Sequence, residues 1–445
     1  MTKFTCLLLT FAAVLSLAAG DYAIKDFTLD HKDGFYRCGE TLTLTGQLTK
    51  AGKPVTDGKL RLLLKWEERN VSTIELPCDG KPFRITYNSR RPGWVYFGFE
   101  VVEADGKTVE VPGPRLRHNK KRLLAEIGAI FGKDQLKIVS PMPKDFREFW
   151  QKQLAEIDKV PCKAKVERLD AREPGIELYA VTIDTPANRP ATGYLAIPVG
   201  AKPKSCPAFL TIQSWSQSDA ARHMAVNRAR RGGIGMAVTW HGNPVAQPKE
   251  FYRGRCGIGV HAHLDDPTKW PWIDAYRRSL RAAQYLKTRP EWDGKTFVVQ
   301  GGSLGGALAI AVAALIPGVT TAVLDVPGHC EFDAEVAGRC RAGYTWLTDK
   351  VWSPRTRDTV SYYDFAHFAA LLHCEVYMAT GFVDEGCPPS NIIAAFNNIP
   401  AGTKKNIYTN PRTGHGGETW NSPGYNRIEE LLDPVDPAKK AKTGK

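Results

Sequence analysis

The sequence predicts an α/β fold with a mostly parallel sheet covered by helices on both faces, preceded by an all-β domain of the immunoglobulin-like sandwich type. Short alternating strands separated by turn residues fill positions 21–115, whereas strands and helices alternate along positions 141–432. Within the second region, a strand runs through a serine flanked by glycines directly into an alanine-rich helix. These observations divide the chain into two structural domains with different functions.

The composition is that of a globular protein. The chain has 445 residues, of which 43% are hydrophobic and 24% charged, which excludes a disordered or fibrous protein. The formal net charge is +13, and such a charge is compatible with binding to nucleic acid, an anionic polymer or a membrane surface.

The first twenty residues have the pattern of a secretory signal peptide. Lys3 precedes an apolar run from Phe4 to Leu17, and the small residues Ala18, Ala19 and Gly20 follow. We therefore predict cleavage after residue 20 and a secreted or periplasmic protein. Export argues against nucleic acid as a partner. No later segment is apolar for the roughly 18 residues that a membrane span needs, so no membrane partner is expected.

Residues 21–115 are predicted to form the sandwich. The segment Thr41–Thr45 alternates strictly between polar and apolar residues, as a half-buried strand does. Turn pairs such as Asp57-Gly58 and Asp105-Gly106 separate the strands. The region contains no catalytic cluster, so we predict a structural or positioning role. Residues 116–140 are predicted to be a linker with a basic start, and residues 433–445 a disordered tail.

The strongest functional signal is a nucleophile elbow at residues 297–316. A β-branched strand leads into Gly301, Ser303 and Gly305, and a helix follows at once. This strand–turn–helix context exposes a serine hydroxyl at the helix N-terminus, where negative charge is favoured. The sequence therefore predicts that Ser303 is a catalytic nucleophile.

A nucleophilic serine needs a base and an acid that orients the base, and in this strand–turn–helix setting the chain order is serine, acid, histidine. His415 lies in a glycine-rich loop after the last predicted strand and is the preferred base, with His329 as the alternative. Asp384 follows a strand and is the preferred acid, with Asp325 and Glu385 as alternatives. His415 would take the proton of Ser303, and Asp384 would hold the imidazole.

Two backbone N–H groups are expected to bind the oxyanion that forms during acyl transfer. One belongs to Leu304, the residue after the nucleophile, and the other to the loop after the strand at 208–212.

Several motifs together resemble the acetyl xylan esterase and cephalosporin C deacetylase family, known as carbohydrate esterase family 7. The resemblance spans about 141–432, and its motifs are Pro143–Trp150, Thr192–Pro198, Arg289–Lys295, Gly301–Gly306, Asp384–Ser390, Asn397–Ile399 and Gly414–Gly416. It implies an α/β-hydrolase fold, a Ser303–His415–Asp384 triad and removal of acetyl groups from sugars. We expect neither a cofactor nor a metal ion. Some members form rings, so the oligomeric state stays open.

Two motifs depart from the family pattern. Gln213-Ser214-Trp215 stands where the family has His-Gly-Tyr, so the Trp215 N–H is the candidate for the second oxyanion donor. Residues 239–243, which include Trp240 and His241, replace the family's Arg-Gly-Gln segment. Trp240 and His241 are therefore candidates for substrate contacts, and the inference to acetyl xylan in particular is weaker.

Two other functions compete with the esterase. His261, His263 and Asp265 form an H-x-H-x-D pattern that is compatible with a metallohydrolase. A non-catalytic sugar-binding protein would use exposed tryptophans for stacking. The basic residues leave an anionic polysaccharide as a further candidate partner, although Arg277, Arg278 and Arg281 are expected to form only a solvated helix face.

Overall fold

The computed structural model describes residues 21–67, 69–110, 123–216, 218–255, 259–343, 346–416 and 422–432. The predicted signal peptide, the basic run at 115–121 and the predicted disordered tail lie outside the described residues. Among the helices in the described ranges, none is both long and apolar enough to cross a bilayer.

The N-terminal region is all-β and consists of two sheets. Its strands are β1 (Tyr22–Leu29), β2 (Phe35–Tyr36), β3 (Thr41–Lys50), β4 (Lys53–Pro54), β5 (Lys59–Trp66), β6 (Arg69–Pro77), β7 (Phe83–Asn88), β8 (Gly93–Val102) and β9 (Ala125–Phe131). One sheet pairs β3 with β1, β4 and β7, and the other has the order β2-β9-β8-β5-β6. Every pair except β2–β9 is antiparallel.

The two sheets pack face to face around one apolar core. Leu42 and Leu44 of β3 meet Leu62 of β5 and Phe97 of β8 in this core. The alternation that predicted β3 thus marks its inward face, since successive side chains of a strand point to opposite sides.

Strand β9 corrects the predicted linker at 116–140. Residues 125–131 do not connect two domains as a coil; they pair with β8 along their whole length. Strand β9 was not recognised in the sequence because it lacks a polar face: Ile127 and Phe131 face the sandwich core, and Ile130 packs on the following domain. A strand buried on both sides shows no alternation.

The second region contains nine strands and nine α-helices in its described residues. The strands are β10 (Ala164–Leu169), β11 (Ile176–Ile183), β12 (Ala191–Pro198), β13 (Cys206–Ile212), β14 (Ile234–Val238), β15 (Trp292–Gly302), β16 (Thr321–Asp325), β17 (Glu375–Gly381) and β18 (Lys405–Asn410). The helices are α1 (Phe146–Asp158), α2 (Arg222–Arg230), α3 (Lys249–Tyr252), α4 (Trp272–Lys287), α5 (Leu304–Leu315), α6 (Pro354–Ser361), α7 (Phe365–Ala369), α8 (Pro389–Asn397) and α9 (Pro423–Leu432).

These strands form one mixed sheet with the order β10-β11-β12-β14-β13-β15-β16-β17-β18. The six strands from β14 to β18 in this order are parallel, and β10, β11 and β12 form an antiparallel edge. From β13 the chain moves outward to β14 and then returns to β15 on the other side of β13. Such a change of direction opens a crevice at the carboxyl ends of the strands, where ligands bind in α/β sheets.

Helices cover both faces of the parallel strands. Leu210 and Val299 belong to the large core that includes helices α4 and α5, whereas the adjacent Phe209 and Val298 pack on Ile428 of α9. Apolar residues therefore occupy consecutive positions of the central strands, which is the pattern of strands buried on both faces. The predicted α/β architecture is confirmed.

Candidate active site

Ser303 lies in a strained turn between β15 and α5. Its φ is 54° and its ψ is −123°, a backbone region that is costly for a residue with a side chain. The Ser303 N–H donates to the carbonyl oxygen of Asp325 at 2.9 Å. A Cβ at Gly301 would lie 2.2 Å from the carbonyl oxygen of Gly305, and a Cβ at Gly305 would lie 2.3 Å from that of Ile212. The glycines are therefore required by close backbone contacts on both sides of the serine.

Three residues that are far apart in sequence form a hydrogen-bonded chain. The Nε2 atom of His415 lies 2.9 Å from Oγ of Ser303. On the other side of the ring, Nδ1 of His415 lies 2.9 Å from Oδ2 of Asp384. The structure thus brings Ser303, His415 and Asp384 together in the arrangement that serine hydrolases use.

Asp384 is buried and well supplied with donors. Its side chain has no exposed surface, and its Oδ1 accepts the N–H groups of Gly386 at 2.7 Å and Cys387 at 2.9 Å. Hydrogen bonds of this kind stabilise a carboxylate without water. These two N–H groups thus satisfy Oδ1, while Oδ2 faces Nδ1 of His415.

The electrostatics of His415 reflect this neighbour. Burial lowers the pKa of His415, but the carboxylate of Asp384 more than offsets the effect, so the pKa is raised. The thiol of Cys387 also contacts His415 and Ser303, and burial raises the pKa of this thiol. Nothing in the sequence marked Cys387 as a site residue, although it lies in the motif Asp384–Ser390.

The alternative candidates for the base and the acid bind other partners. His329 is buried, its Nδ1 lies 3.2 Å from the Tyr276 hydroxyl, and burial lowers its pKa to about 3. Burial raises the pKa of Asp325 to about 7, and Tyr425 is its hydrogen-bond partner. Glu385 forms an ion pair with Lys65 of the sandwich.

The two candidate oxyanion donors are on neighbouring elements. Leu304 is the first residue of α5, and the first N–H groups of a helix have no partner within the helix. Trp215 lies in the loop after β13, which pairs with the serine-bearing strand β15. Its ring is partly exposed and stacks on Trp240 with 4.9 Å between the centroids.

The prediction that Trp240 and His241 contact substrate is wrong for direct side-chain contact. Trp240 has no exposed surface; it lies beneath Trp215 and donates to the Ser216 carbonyl at 3.2 Å. His241 is 9% exposed, and its two ring nitrogens bind backbone groups of Ser218 and Asn243. Both side chains shape the loop that carries Trp215. Sequence could not show this, because burial of a tryptophan depends on its tertiary neighbours.

The prediction that the arginines of α4 form a solvated basic face is also wrong. Arg278 and Arg281 are buried, with 7% and 2% exposure. The Arg281 guanidinium donates to the carbonyl oxygen of Val160 at 2.7 Å, and that of Arg278 donates to the Trp240 carbonyl at 2.9 Å. These arginines join segments of the domain and do not form an anion-attracting surface.

The residues of the H-x-H-x-D pattern do not meet in a cluster. His261 is exposed, and its Nε2 lies 2.6 Å from the Trp346 carbonyl oxygen. Across the described part of the chain, one group of three metal-ligating side chains lies within 4.8 Å, and it comprises Asp384, Cys387 and His415. Two of these belong to the hydrogen-bonded chain of the serine site.

Comparisons with known proteins point to one family. A model of the family described as acetyl xylan esterase (AXE1) matches residues 134–422. The acetyl esterase Axe7A of Xylanibacter ruminicola is 30% identical over 283 residues, which are 61% of this chain and 63% of that protein. The match thus spans less than two thirds of the relative's length.

Two solved structures share the fold of the second domain. The acetyl xylan esterase from Paenibacillus sp. R4 aligns with a TM-score of 0.58 and 23% identity, covering 67% of this chain and 97% of its own. Acetyl xylan esterase 1 from Thermoanaerobacterium sp. JW/SL YS485 aligns with a TM-score of 0.57 and 22% identity, covering 68% and 98%. The second domain therefore has the esterase-type α/β-hydrolase fold that the motifs implied.

Proposed function

Because the chain belongs to the acetyl xylan esterase family, we propose that it is a serine carboxylesterase that removes acetyl groups from carbohydrate. Ser303 is the nucleophile, His415 the general base and Asp384 the residue that orients the histidine. The observation that carries this proposal is the continuous chain of hydrogen bonds from Ser303 Oγ through both ring nitrogens of His415 to Asp384.

The first half of the reaction is acylation. His415 Nε2 takes the proton of the Ser303 hydroxyl while Oγ attacks the acetyl carbonyl carbon, and the carbonyl oxygen becomes an oxyanion. The tetrahedral intermediate then expels the sugar hydroxyl, which receives the proton from Nε2. Asp384 keeps Nδ1 protonated and stabilises the imidazolium. The products are the free sugar hydroxyl and an acetyl-serine.

Deacylation repeats these steps with water. His415 takes a proton from the attacking water, the acetyl-serine passes through a second oxyanion, and acetate leaves as Ser303 recovers its proton. The N–H groups of Leu304 and Trp215 are our candidates for binding both oxyanions. An oxyanion donor of this kind contributes about 100–1000-fold to the rate.

The family and one aromatic side chain support the proposed substrate class. The partly exposed Trp215 ring lies in the loop after β13, and an aromatic face of this kind can stack on a sugar ring. The buried arginines of α4 remove one reason for expecting an anionic polysaccharide. We therefore favour a neutral acetylated oligosaccharide or polysaccharide over an anionic one.

We also propose the localisation of the protein, the type of its N-terminal domain and a reaction without a cofactor. The N-terminal twenty residues direct the protein to the periplasm or the exterior, where acetylated glycans are accessible. The two-sheet N-terminal domain is of the immunoglobulin-like type. No cofactor takes part in the reaction.

A screen of acetylated oligosaccharides and activated acetyl esters tests the proposal, with Ser303→Ala as the control. We expect acetate release by the wild type and its loss in the variant. A fluorophosphonate should label the wild type at Ser303 and leave the variant unlabelled. Hydrolysis that persists in Ser303→Ala would contradict the assigned nucleophile. Absence of both hydrolysis and labelling in the wild type would favour a non-catalytic sugar-binding protein.

A further inference from the structure

Strand β8 of the sandwich is buried on both faces, and the second face packs on the hydrolase domain. Val95 and Phe97 point into the sandwich core. The alternate residues Trp94 and Tyr96 belong to another apolar cluster, which also contains Phe382. Since Phe382 lies two residues before Asp384, the sandwich packs directly against the loop that carries the catalytic acid.

Polar contacts hold this loop on both sides of Asp384. The indole Nε1 of Trp94 donates to the carbonyl oxygen of Phe382 at 2.6 Å in a buried position. Lys65 at the end of β5 forms an ion pair with Glu385, and their side chains are only 17% and 10% exposed. Residues 382 and 385 are therefore both attached to the sandwich, and Asp384 lies between them.

Strand β9 contacts the same loop and also the loop that carries His415. The Gly128 N–H donates to the carbonyl oxygen of Pro411 at 2.8 Å. A Cβ at Gly128 would lie only 1.9 Å from the carbonyl oxygen of Phe382, so the two backbones meet where no side chain fits. Pro411 precedes His415 by four residues.

The acid loop and the histidine loop are also bonded to each other. The Phe382 N–H donates to the Asn410 carbonyl at 2.9 Å, and the Val383 N–H donates to the Thr413 carbonyl at 3.1 Å. A displacement of one loop is therefore transmitted to the other. Neither loop is anchored by the hydrolase sheet alone.

A buried carboxylate of the sandwich fixes the helix that follows the acid loop. Glu67 is 2% exposed, and it accepts the Trp94 N–H at 2.7 Å and the Ser390 hydroxyl at 2.8 Å. Ser390 lies in the first turn of α8. Burial raises the pKa of Glu67 to about 7, and Arg339 of the hydrolase domain partly offsets this effect. A group that is costly to bury thus joins the two domains next to the active site.

We propose that the sandwich is a positioning part of the active site, which holds the loops of Asp384 and His415 in register with Ser303 through Lys65, Trp94 and Gly128. The proposal rests on the catalytic roles given above. It assigns to the N-terminal domain a function in the reaction itself, distinct from binding of polymeric substrate. A misplacement of about 1 Å in catalytic groups can lower a rate by about 100-fold.

Two pairs of variants test the proposal in the full-length protein. Lys65→Met removes the ion pair with Glu385, and Lys59→Met is its control because Lys59 of the same strand pairs with Glu75 inside the sandwich. Gly128→Ala pushes the Phe382 carbonyl away. Gly46→Ala is its control, because the atoms nearest to a Cβ at Gly46 belong to Ile24 and Phe83 of the sandwich.

The readouts are fluorophosphonate labelling of Ser303 and the kcat and KM for a small activated acetyl ester, measured well below the unfolding midpoint. We expect Lys65→Met to lower kcat and the labelling rate by about 10-fold and Gly128→Ala by up to about 100-fold, with KM unchanged. Lys65→Arg should restore most of the rate. The control variants should stay within about 2-fold of the wild type, even where they lower thermal stability.

Each result separates the positioning role from a merely structural one. Folded Lys65→Met and Gly128→Ala proteins with wild-type kcat and labelling would overturn the proposal, whatever their stability. An equal loss in Lys59→Met and Gly46→Ala would also overturn it, because the effect would then belong to sandwich stability. A wild type that neither reacts nor is labelled would refute the proposed function as well.

Discussion

Two neighbouring parallel strands, β16 and β17, each lead into a buried aspartate, and the two carboxylates have opposite surroundings. Asp384, three residues beyond β17, accepts two backbone N–H groups and faces His415. Asp325, the last residue of β16, is 5% exposed, and its Oδ1 has no hydrogen-bond partner among the described residues. Both residues satisfy the sequence criterion of an acid that follows a strand.

The difference arises from the backbone that follows each strand. The chain after Asp384 turns so that the N–H groups of Gly386 and Cys387 point back at the carboxylate, as in an Asx turn. Asp325 is still within the sheet, and its backbone carbonyl accepts a hydrogen bond from the N–H of Ser303. The turn after β17 thus provides donors for the carboxylate of Asp384, whereas Oδ1 of Asp325 has no such donor among the described residues.

The largest expected effect comes from the substitution Asp384→Asn. The amide cannot hold the His415 tautomer that accepts a proton at Nε2, so kcat should fall by about 10,000-fold. Loss of the carboxylate also lowers the pKa of His415, because Asp384 is the main group that raises it. The acid limb of kcat/KM against pH should therefore move to lower pH in the residual activity. The matched variant Asp325→Asn should keep kcat. A comparable loss of kcat in Asp325→Asn would contradict the different roles of the two aspartates.

A steric change can disturb the Asp384 turn without removing any polar group. A Cβ at Gly386 would lie 3.3 Å from both Oδ1 of Asp384 and Nδ1 of His415, which is closer than such atoms normally approach. We expect Gly386→Ala to lower kcat by about 10–100-fold by moving the two groups apart. Gly402→Ala is the control, because a Cβ at Gly402 meets nothing within 4 Å. Steady-state kinetics on both variants checks this, and equal rates would contradict the assigned contact.

The Asp325 site should instead appear in the pH dependence of stability. Burial raises its pKa to about 7 in the folded protein, above about 3.9 in the unfolded chain. The folded state then binds more protons between these values, so this residue contributes stability at low pH that is lost as the pH rises through about 7.

Asp325→Asn removes that titration. Relative to the wild type, the variant should gain roughly 1–3 kcal/mol of unfolding free energy between pH 5 and pH 8. Denaturant unfolding at the two pH values measures this difference. A difference that does not change with pH would show that the Asp325 carboxyl is not perturbed by burial.

The local sequence pointed to Ser303, Asp384 and His415, which the structure brings into one hydrogen-bonded chain. The tertiary structure is what distinguishes these residues from similar candidates. The elbow around Ser303 was predictable because strand, glycines and helix are adjacent in sequence. Strand β9 was not, because burial on both faces removes the polar alternation that marks a strand. Trp240 was misassigned for a related reason: whether an aromatic ring faces solvent or a second ring depends on residues distant in sequence.

Only a small effect on activity is expected at His329, which lies in the loop after β16. His329 has a φ of 55°, and its ring packs against Tyr276, Trp272 and Trp346. Asparagine tolerates this backbone region well, so His329→Asn changes the side chain with little backbone strain. A base acts only within hydrogen-bond reach of the proton it removes, so kcat/KM should stay within about 3-fold of the wild type. The same measurement on His415→Asn should show a loss of several orders of magnitude. If kcat/KM fell by a similar factor in His329→Asn, His329 would also take part in proton transfer.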